Sequence, residues 1–497
     1  MALINTGSLV GGLASVFLVF LWLNTFHRRF FISFFKTLKV TGYGVHVEFV
    51  EALTRHNWFL IKGWIQKPNR EALENEVKDL FLEHLGQTRR TVLITHSCRS
   101  NFYYLIQSIL EKTRAEKGQN QIKIAISTVH FGSFYKLLRG MEKSLQCSIQ
   151  FYEVDLKEED WTLDEDSIDE EEFSKCDMVM CQHLFGVPFR QGKFFELGKK
   201  YNIPIVEDCV QSGSLFGNYK GDARGDVVLY SGGLDKSPAC FGAGFGYFRE
   251  SAHGQMLYEK CKALHDASPL DTWKARRVSV INQTIHLMIA KNTMWINHLI
   301  GFVAYVMVSD RGEYIKWYAI TLVIRKNKAI SPFQHAEAGF LRKPSVYHLM
   351  SMRHGLSKVE QYKRIAKQEI RARDLLLESI PSNYHSTLFP WWTPEVIQAH
   401  RENQGISEFT WVYCPIRGGR SNLCKFCNDH FLIMMINTTW DFHEYTKLEV
   451  GKNINEHLVY LPNLNSMKDE EIKYVGQVMT KYCQSLQDAP NKSKKLD

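Results

Sequence analysis

The sequence predicts an α/β protein with a mostly parallel sheet in a large domain, followed by a smaller α+β domain and preceded by an apolar N-terminal segment. Three observations lead to this prediction. Short β-branched runs alternate with amphipathic helical patterns over 88–269, which is typical of parallel strands joined by crossover helices. A long amphipathic pattern at 350–380 begins a second group of helices and strands. Residues 9–26 carry no charge.

The apolar segment runs from Leu9 to Phe26, LVGGLASVFLVFLWLNTF, and contains 18 uncharged residues. As a helix it would be about 27 Å long, enough to cross a hydrocarbon core. No basic residue precedes it and HRRFF follows it, which favours an uncleaved anchor over a cleaved signal peptide and places the rest of the chain on the cytoplasmic side. We expect a membrane anchor at 1–27, with the endoplasmic reticulum as one candidate membrane, and a basic, aromatic connector and N-terminal arm at 28–87.

The large domain, 88–269, is expected to follow the order of its apolar runs. The expected strands are TVLITHS, IKIAIST, CSIQFYEVD, CDMVMCQHLFG, IPIVED, DVVLYS and FGYFR, and the expected helices between them are NFYYLIQSILEKTRAEKG, FYKLLRGMEKSL and FFELGKKYN. Ligands of such sheets bind beyond the carboxyl ends of the strands. The candidate functional residues should therefore follow these runs directly.

The second half of the chain begins with an apolar insertion at 270–330. Its stretch TMWINHLIGFVAYVMV, flanked by Trp295 and Trp317, is short for a membrane span, so it predicts a segment that dips into the membrane, with a buried helix pair or dimer contact as the alternative. Residues 331–483 predict the small domain, which starts with one long linking helix over 350–380 and ends in a helix DEEIKYVGQVMTKYCQSL. The polar remainder, 484–497, predicts a disordered tail.

Charge and cysteine usage exclude several classes of protein. A net charge of +8 over 497 residues, without a dense basic run, does not indicate a nucleic-acid-binding protein. The 11 cysteines show no disulfide spacing, which indicates free thiols in a reducing compartment. Cys424 and Cys427 form a single CxxC without a second pair, so no metal is expected there and both are interpreted as buried or incidental thiols.

Three side chains at predicted strand ends carry a more specific signal. Asp208 closes the strand IPIVED, Ser231 closes DVVLYS, and Lys236 follows five residues later among glycines and apolar residues. A carboxylate, a hydroxyl and a lysine are the groups that hold pyridoxal phosphate: the lysine bonds to its aldehyde, the carboxylate keeps its pyridine nitrogen protonated, and the hydroxyl binds its phosphate. By themselves these residues also allow a plainer interpretation as a helix cap and a solvated loop lysine.

The order of these residues resembles the DegT/DnrJ/EryC1/StrS group of pyridoxal-phosphate aminotransferases, within the fold type I superfamily. The family motifs of this stretch are matched in order and spacing by His183 with Gly186, by Glu207, Asp208 and Gln211, by Gly221 or Gly225 with Asp226, and by Ser231 with Lys236. Looser similarity extends over about 90–483. The resemblance implies a fold type I large domain, pyridoxal 5'-phosphate as cofactor, and a homodimer.

The resemblance also implies a role for each matched residue. Lys236 would attach the cofactor and shuttle protons, Asp208 would pair with the pyridine nitrogen, Gln211 would contact the ring region, and Ser231 would bind phosphate. The turn Ser97, Cys98 and Arg99 falls where the family has its phosphate-binding Ser-Gly-Thr turn. Phe131 is expected to stack on the ring, with His130 as the alternate and ordinary core packing as the alternative role for Phe131.

Departures from the family pattern leave three functions open. The turn reads Ser-Cys-Arg, Gly242 replaces the family's glutamate, and Asp235 precedes the lysine. The first function is a membrane-anchored aminotransferase, which moves an amino group from an amino-acid donor to a keto or aldehyde acceptor linked to a sugar or lipid. The second is a decarboxylating acyl transfer in lipid synthesis, and the third is a degenerate membrane scaffold. Lys236 argues against the family's dehydratase branch, which has histidine there.

Overall fold

A computed structural model of the chain describes residues 57–89, 91–272, 341–389 and 414–493. Within these ranges it leaves gaps at 67, 131, 160–161, 184–190, 212–218, 234–235, 241, 418–422, 424–425, 428–429, 431–447, 462–463 and 465–466. The predicted anchor 1–27, most of the connector 28–87 and nearly all of the insertion 270–330 lie outside the described residues. None of the helices within the described ranges is long and apolar enough to cross a membrane.

A seven-stranded sheet forms the centre of the large domain. Its strands are β1 (Val92–Thr95), β2 (Gln121–Ser127), β3 (Ser148–Val154), β4 (Met178–Gln182), β5 (Ile205–Asp208), β6 (Val227–Ser231) and β7 (Gly244–Phe248). They lie in the order β1-β7-β6-β5-β4-β2-β3. The pairs from β6 through β3 are parallel, whereas β7 is antiparallel to both β6 and β1. The sheet is therefore mixed and mostly parallel, as predicted, and the strands other than β7 end at one common edge.

Helices cover both faces of this sheet. They are α1 (Asn57–Gln66), α2 (Arg70–Leu85), α3 (Cys98–Lys117), α4 (Gly132–Leu145), α5 (Glu170–Ser174), α6 (Gly192–Lys200) and α7 (Ala252–Ala267). Helices α3, α4 and α7 bury apolar side chains against one face. On the opposite face, α2 packs over β1, β6 and β7, and α6 packs over β4 and β5. Helix α3 ends at Gly118, which has the left-handed φ of 65° that terminates helices.

The C-terminal part consists of further helices and a small antiparallel ladder. Its elements are α8 (Val346–Leu356), α9 (Val359–Glu378), α10 (His385–Leu388), β8 (Cys414–Arg417), α11 (Glu449–His457), β9 (Leu458–Leu461) and α12 (Asp469–Ser493). Strands β8 and β9 pair antiparallel. Helices α9 and α12 pack together and against the large domain's sheet.

Two predicted features of this part differ from the structure. The single helix expected over 350–380 is divided at Ser357 into α8 and α9. On either side of this break, Gly355 of α8 packs directly on Ala239 and Cys240, and Tyr362 of α9 accepts the Ala239 amide through its hydroxyl.

The last helix is also longer than predicted. Helix α12 continues to Ser493, well into the predicted disordered tail 484–497. The Tyr384 hydroxyl donates to Gln487 Oε1 at 3.2 Å, which holds the start of this extension on the neighbouring 3₁₀ turn.

Candidate active site

The candidate active site lies at the common carboxyl edge of the parallel strands. Asp208 ends β5 beside Gln182 of β4 and Leu229 of β6. Ser231 and Thr95 end β6 and β1, and both pair with the first residue of β7, Gly244. Because the ends of these strands converge, residues far apart in sequence meet above a short length of the sheet.

Asp208 is a buried carboxylate with few partners. Its Oδ1 accepts the Val210 amide at 2.9 Å, and its Oδ2 lies 3.6 Å from Nε2 of His130. Burial raises the pKa of Asp208 from 3.8 to about 6; the Val210 hydrogen bond and the nearby His183 and Lys236 oppose this shift. A carboxylate this poorly compensated attracts a cation strongly.

Lys236 is buried as well, with 7% of its surface exposed, and it is delivered by a loop after β6. Gly232 O accepts the amides of Cys240 at 3.0 Å and Gly242 at 2.9 Å, which closes this loop on itself. From α9, the Tyr362 hydroxyl accepts the Ala239 amide at 2.9 Å. This loop is therefore held by hydrogen bonds and is not a solvated loop. It places Lys236 near Asp208, and the lysine's charge lowers the pKa of Asp208.

The turn between β1 and α3 presents a helix N-terminus to the same edge. Ser97 caps α3 in an extended conformation, and its hydroxyl makes no capping bond to the amides of the first turn. The turn lies directly against β7, because a Cβ on Gly244 would be 2.4 Å from the Ser97 carbonyl carbon and oxygen. A helix N-terminus is a favourable place for an anion such as a phosphate.

The next two residues of this turn differ in what they offer. Burial and the nearby Asp208 raise the pKa of the Cys98 thiol well above its usual range, so the thiol stays neutral. Arg99 is half-buried, and burial lowers its pKa to about 10. Its guanidinium therefore remains cationic at neutral pH and adds positive charge to the anion site.

Most of the site residues predicted from the sequence lie at the carboxyl edge of the parallel strands. Asp208, Ser231, Lys236 and the Ser97–Arg99 turn all stand at this edge. Gln211, three residues past the end of β5, is buried, and its Oε1 has no hydrogen-bond partner in the described part of the chain. Their roles stay predictions.

The structure describes only some of the remaining residues: the two candidates for the stacking aromatic ring, and two positions that differ from the family pattern. Phe131 and Asp235 lie outside the described residues. The alternate, His130, is 1% exposed, packs on Phe134 with ring centroids 4.1 Å apart, and is the aromatic ring that reaches Asp208 among the residues described. Gly242 has a φ of 91°, a left-handed conformation that a glutamate would adopt only with strain. The glycine is therefore explained by the backbone of the loop.

Sequence reasoning matched Glu207 and His183 to a motif but gave them no role. Glu207 is fully buried and accepts from the Asp222 amide at 2.8 Å, from the Tyr219 hydroxyl, and from His183 Nε2 at 2.7 Å. Gly221 is required beside it, since its φ is 87° and a Cβ would be 2.7 Å from Glu207 Oε2. This network fixes the end of β5 from the face opposite to Asp208.

Similarity to known proteins extends over much more of this chain in structure than in sequence. No protein-family model matches the chain. A curated relative, the GDP-perosamine synthase of Escherichia coli O157:H7, is 34% identical over 80 residues, which are 16% of this chain and 22% of the relative. The match thus spans about a fifth of the relative's length.

Solved structures match over most of the chain. The structure of DesI in the presence of its TDP-sugar product covers 92% of this chain and 96% of its own, with a TM-score of 0.56 and 11% identity. An E. coli GDP-4-keto-6-deoxy-D-mannose-3-dehydratase with bound hydrated PLP covers 85% and 96%, with a TM-score of 0.54 and 13% identity. A DegT DnrJ EryC1 StrS aminotransferase from Brucella abortus covers 87% and 96%, with a TM-score of 0.51 and 11% identity. The chain has the fold of these pyridoxal-phosphate aminotransferases and dehydratases.

Proposed function

We propose that this chain is a pyridoxal-phosphate-dependent aminotransferase that acts on a keto or aldehyde sugar, or on a lipid-linked acceptor, with an amino acid as donor. One observation carries the proposal: a buried lysine and a buried, poorly compensated carboxylate lie close enough to interact electrostatically, beside the N-terminus of α3. Lys236, Asp208 and Ser97 hold these positions.

The residues present fit pyridoxal phosphate in charge and in hydrogen bonding. The cofactor is a dianion at one end and a pyridinium at the other; the Ser97 turn with Arg99 suits the first and Asp208 suits the second. The buried, unpartnered Oε1 of Gln211 offers a further contact beside the ring. When bound, the cofactor supplies an electron sink for carbanions formed next to the amino group.

The protein's own groups then have distinct tasks. The Asp208 carboxylate holds a proton on the ring nitrogen, and His130 and Val210 keep that carboxylate in place. Lys236 moves protons at the substrate carbon, since its amine is fixed by the closed loop and shielded from water. Ser231 and the first amides of α3 orient the phosphate.

The similar structures include both aminotransferases and a dehydratase, so the fold does not decide between these reactions. The presence of Lys236 favours amino transfer, because a lysine amine can both bond to the cofactor and return a proton. The similar structures favour a sugar acceptor, since one is DesI in the presence of its TDP-sugar product and another is a GDP-4-keto-6-deoxy-D-mannose-3-dehydratase.

A membrane location and a homodimer are part of the same proposal. The uncharged segment 9–26 supports an anchor, with the catalytic domain on the cytoplasmic side. Helix α1 adds support, because Trp58, Ile61 and Ile65 are 55%, 49% and 64% exposed and share one face. Carbonate extraction of membranes from expressing cells tests this: the full chain should stay in the pellet and a chain without 1–27 should be released. Full release of the intact chain would contradict it.

Absorbance tests the chemistry. Full-length protein purified with pyridoxal phosphate should be yellow, and Lys236→Ala should be colourless. Lys220→Ala is the matched control, because burial lowers the pKa of Lys220 to about 8 and makes this amine apt to react non-specifically. Reduction with borohydride followed by peptide mapping should place the cofactor on Lys236. A colourless wild type, or label on Lys220, would overturn the proposal.

The acceptor is tested separately. Purified enzyme in detergent is offered a soluble nucleotide-linked keto sugar or a lipid extract, with an amino-acid donor, and formation of the keto acid is followed. Turnover of the soluble sugar without any dependence on lipid would remove the lipid-linked acceptor from the proposal.

A further inference from the structure

A second group of reactive side chains lies beside the phosphate turn and outside the machinery described above. His96, Asp271 and His348 come from the β1–α3 turn, the segment after α7 and helix α8. One ligand atom from each lies within 4.8 Å of the other two. We call this group the His96–Asp271–His348 cluster.

The pairing of His96 with Asp271 is not a hydrogen bond. Nε2 of His96 and Oδ2 of Asp271 are 3.6 Å apart, beyond normal hydrogen-bond length. The Asp271 side chain is only 2% exposed, and its Oδ2 has no hydrogen-bond partner among the residues described. Burying a carboxylate oxygen without a hydrogen-bond partner lowers the stability of the folded state. Two ligands at about 2.0–2.1 Å from a tetrahedral zinc ion stand about 3.4 Å apart, which is close to the observed separation.

His348 is already oriented as a metal ligand. Its Nε2 lies against the carbonyl oxygen of Gly242, which can only accept, so Nε2 carries the proton and Nδ1 carries the lone pair. Metal-binding histidines commonly donate their second nitrogen to a carbonyl in this manner. The ring centroids of His96 and His348 are 4.9 Å apart, and the two rings meet edge to face at 73°.

The other group with the same residue types behaves differently. In the His183–Glu207–Cys209 group, His183 Nε2 and Glu207 Oε1 are in direct hydrogen-bond contact at 2.7 Å, and Glu207 also accepts from Tyr219 and the Asp222 amide. That carboxylate is satisfied by protein donors. No comparable donors reach Asp271 Oδ2 in the described part of the chain.

The geometry points to a divalent cation site, with zinc as the preferred ion, at the His96–Asp271–His348 cluster. Two imidazoles and one carboxylate form a three-ligand set that leaves a fourth position for water. The ion would join the turn before Ser97 to residues on both sides of 273–340. The backbone already joins those sides, since the Asp271 amide donates to Lys343 O at 2.9 Å. The ion would therefore fasten both ends of the 273–340 segment to the phosphate turn.

The test is zinc binding by the full-length protein, measured by metal analysis after dialysis and by competition with a fluorescent chelator. Wild type should hold one zinc per chain, and Asp271→Asn, which keeps the shape of the side chain, should weaken zinc binding by more than about 100-fold. Cobalt substitution should give the visible absorption of a four-coordinate site. Mg²⁺ should not compete, because it prefers oxygen ligands.

Two control variants assign the ion to its site. His265→Gln removes a different buried histidine and should keep the zinc; its Nδ1 lies 3.7 Å from Asp266 Oδ1, and the pair belongs to no three-ligand group among the described residues. Cys427→Ser tests the CxxC. Wild type that holds no zinc, or an Asp271→Asn protein that holds zinc as tightly as wild type, would overturn the proposal; so would loss of zinc in Cys427→Ser alone. Since these readouts need neither pyridoxal phosphate nor substrate, they stand apart from the aminotransferase proposal.

Discussion

Replacement of Asp208 by asparagine should stabilise the cofactor-free protein while it weakens cofactor binding. Asn keeps the size of the side chain and can still accept the Val210 amide, but it carries no charge into the buried site. A purely structural carboxylate would show the reverse, because its removal would lower stability.

The magnitude follows from the pKa of Asp208. Burial raises it from 3.8 to about 6, a difference of about two units, and each unit corresponds to about 1.4 kcal/mol. The folded state therefore binds this proton more tightly than the unfolded state. The free energy of unfolding should fall as the pH rises from about 4 to about 6, and the full penalty of about 3 kcal/mol is present above that range. Well below the unfolded-state pKa of 3.8 the carboxyl is protonated in both states and the penalty disappears.

Denaturant unfolding of cofactor-free wild type and Asp208→Asn at about pH 5 and about pH 8 measures this difference. The variant should gain up to about 3 kcal/mol at the higher pH and less at the lower one. Glu74→Gln is the matched control: burial opposes the charge of Glu74, but contacts with Lys78 at 2.9 Å and Arg70 at 3.0 Å outweigh it and lower its pKa. That variant should lose stability at high pH. An Asp208→Asn protein that is less stable than wild type at about pH 8 would refute the reasoning.

Three further substitutions test the backbone around the site. Gly221→Ala should destabilise the protein by about 1–3 kcal/mol in denaturant unfolding, because a left-handed φ is combined with a Cβ that would press on Glu207. Gly242→Glu restores the residue of the resembled family, yet should lower the melting temperature and the occupancy of pyridoxal phosphate, since φ is 91° there; unchanged values would show that the loop adapts. Tyr362→Phe should cost about 1–2 kcal/mol by leaving the buried Ala239 amide without its acceptor. Tyr362→Phe should also lose cofactor faster than wild type in a dilution assay, and Tyr362→Trp should not restore the wild-type rate.

The strands, and the polar candidate site residues at their ends, could be predicted because both depend on local sequence. A short apolar run that closes in a polar residue, such as IPIVED before Cys209, specifies a buried parallel strand and a ligand-facing end at the same time. The motif from Glu207 to Lys236 lies within one continuous stretch, so its spacing could be compared with a family directly.

Other features depend on contacts between distant parts of the chain, and sequence gave little sign of them. On either side of the turn at Ser357, Gly355 and Tyr362 contact one loop more than a hundred residues earlier in the chain. His96 and His348 meet across an even larger separation, and neither lies in a recognisable metal motif. Phe131 lies outside the described residues, so the choice of Phe131 over His130 stays a prediction; the 3.6 Å approach of His130 Nε2 to Asp208 Oδ2 is a contact that only the fold provides.

The end of β5 shows how the fold separates stability from chemistry. Glu207 and Asp208 are consecutive, so their side chains leave opposite faces of the sheet. Glu207 is enclosed by donors from His183, Tyr219 and the Asp222 amide. Asp208, one residue later, receives one amide and a histidine at 3.6 Å, and its raised pKa records the deficit. The Glu207 carboxylate is thus fully hydrogen-bonded, whereas the Asp208 carboxylate has too few partners. Asp208 lies at the same edge of the sheet as the N-terminus of α3 and the buried Lys236. A cationic ring is the partner that would remove that deficit without any change in the fold.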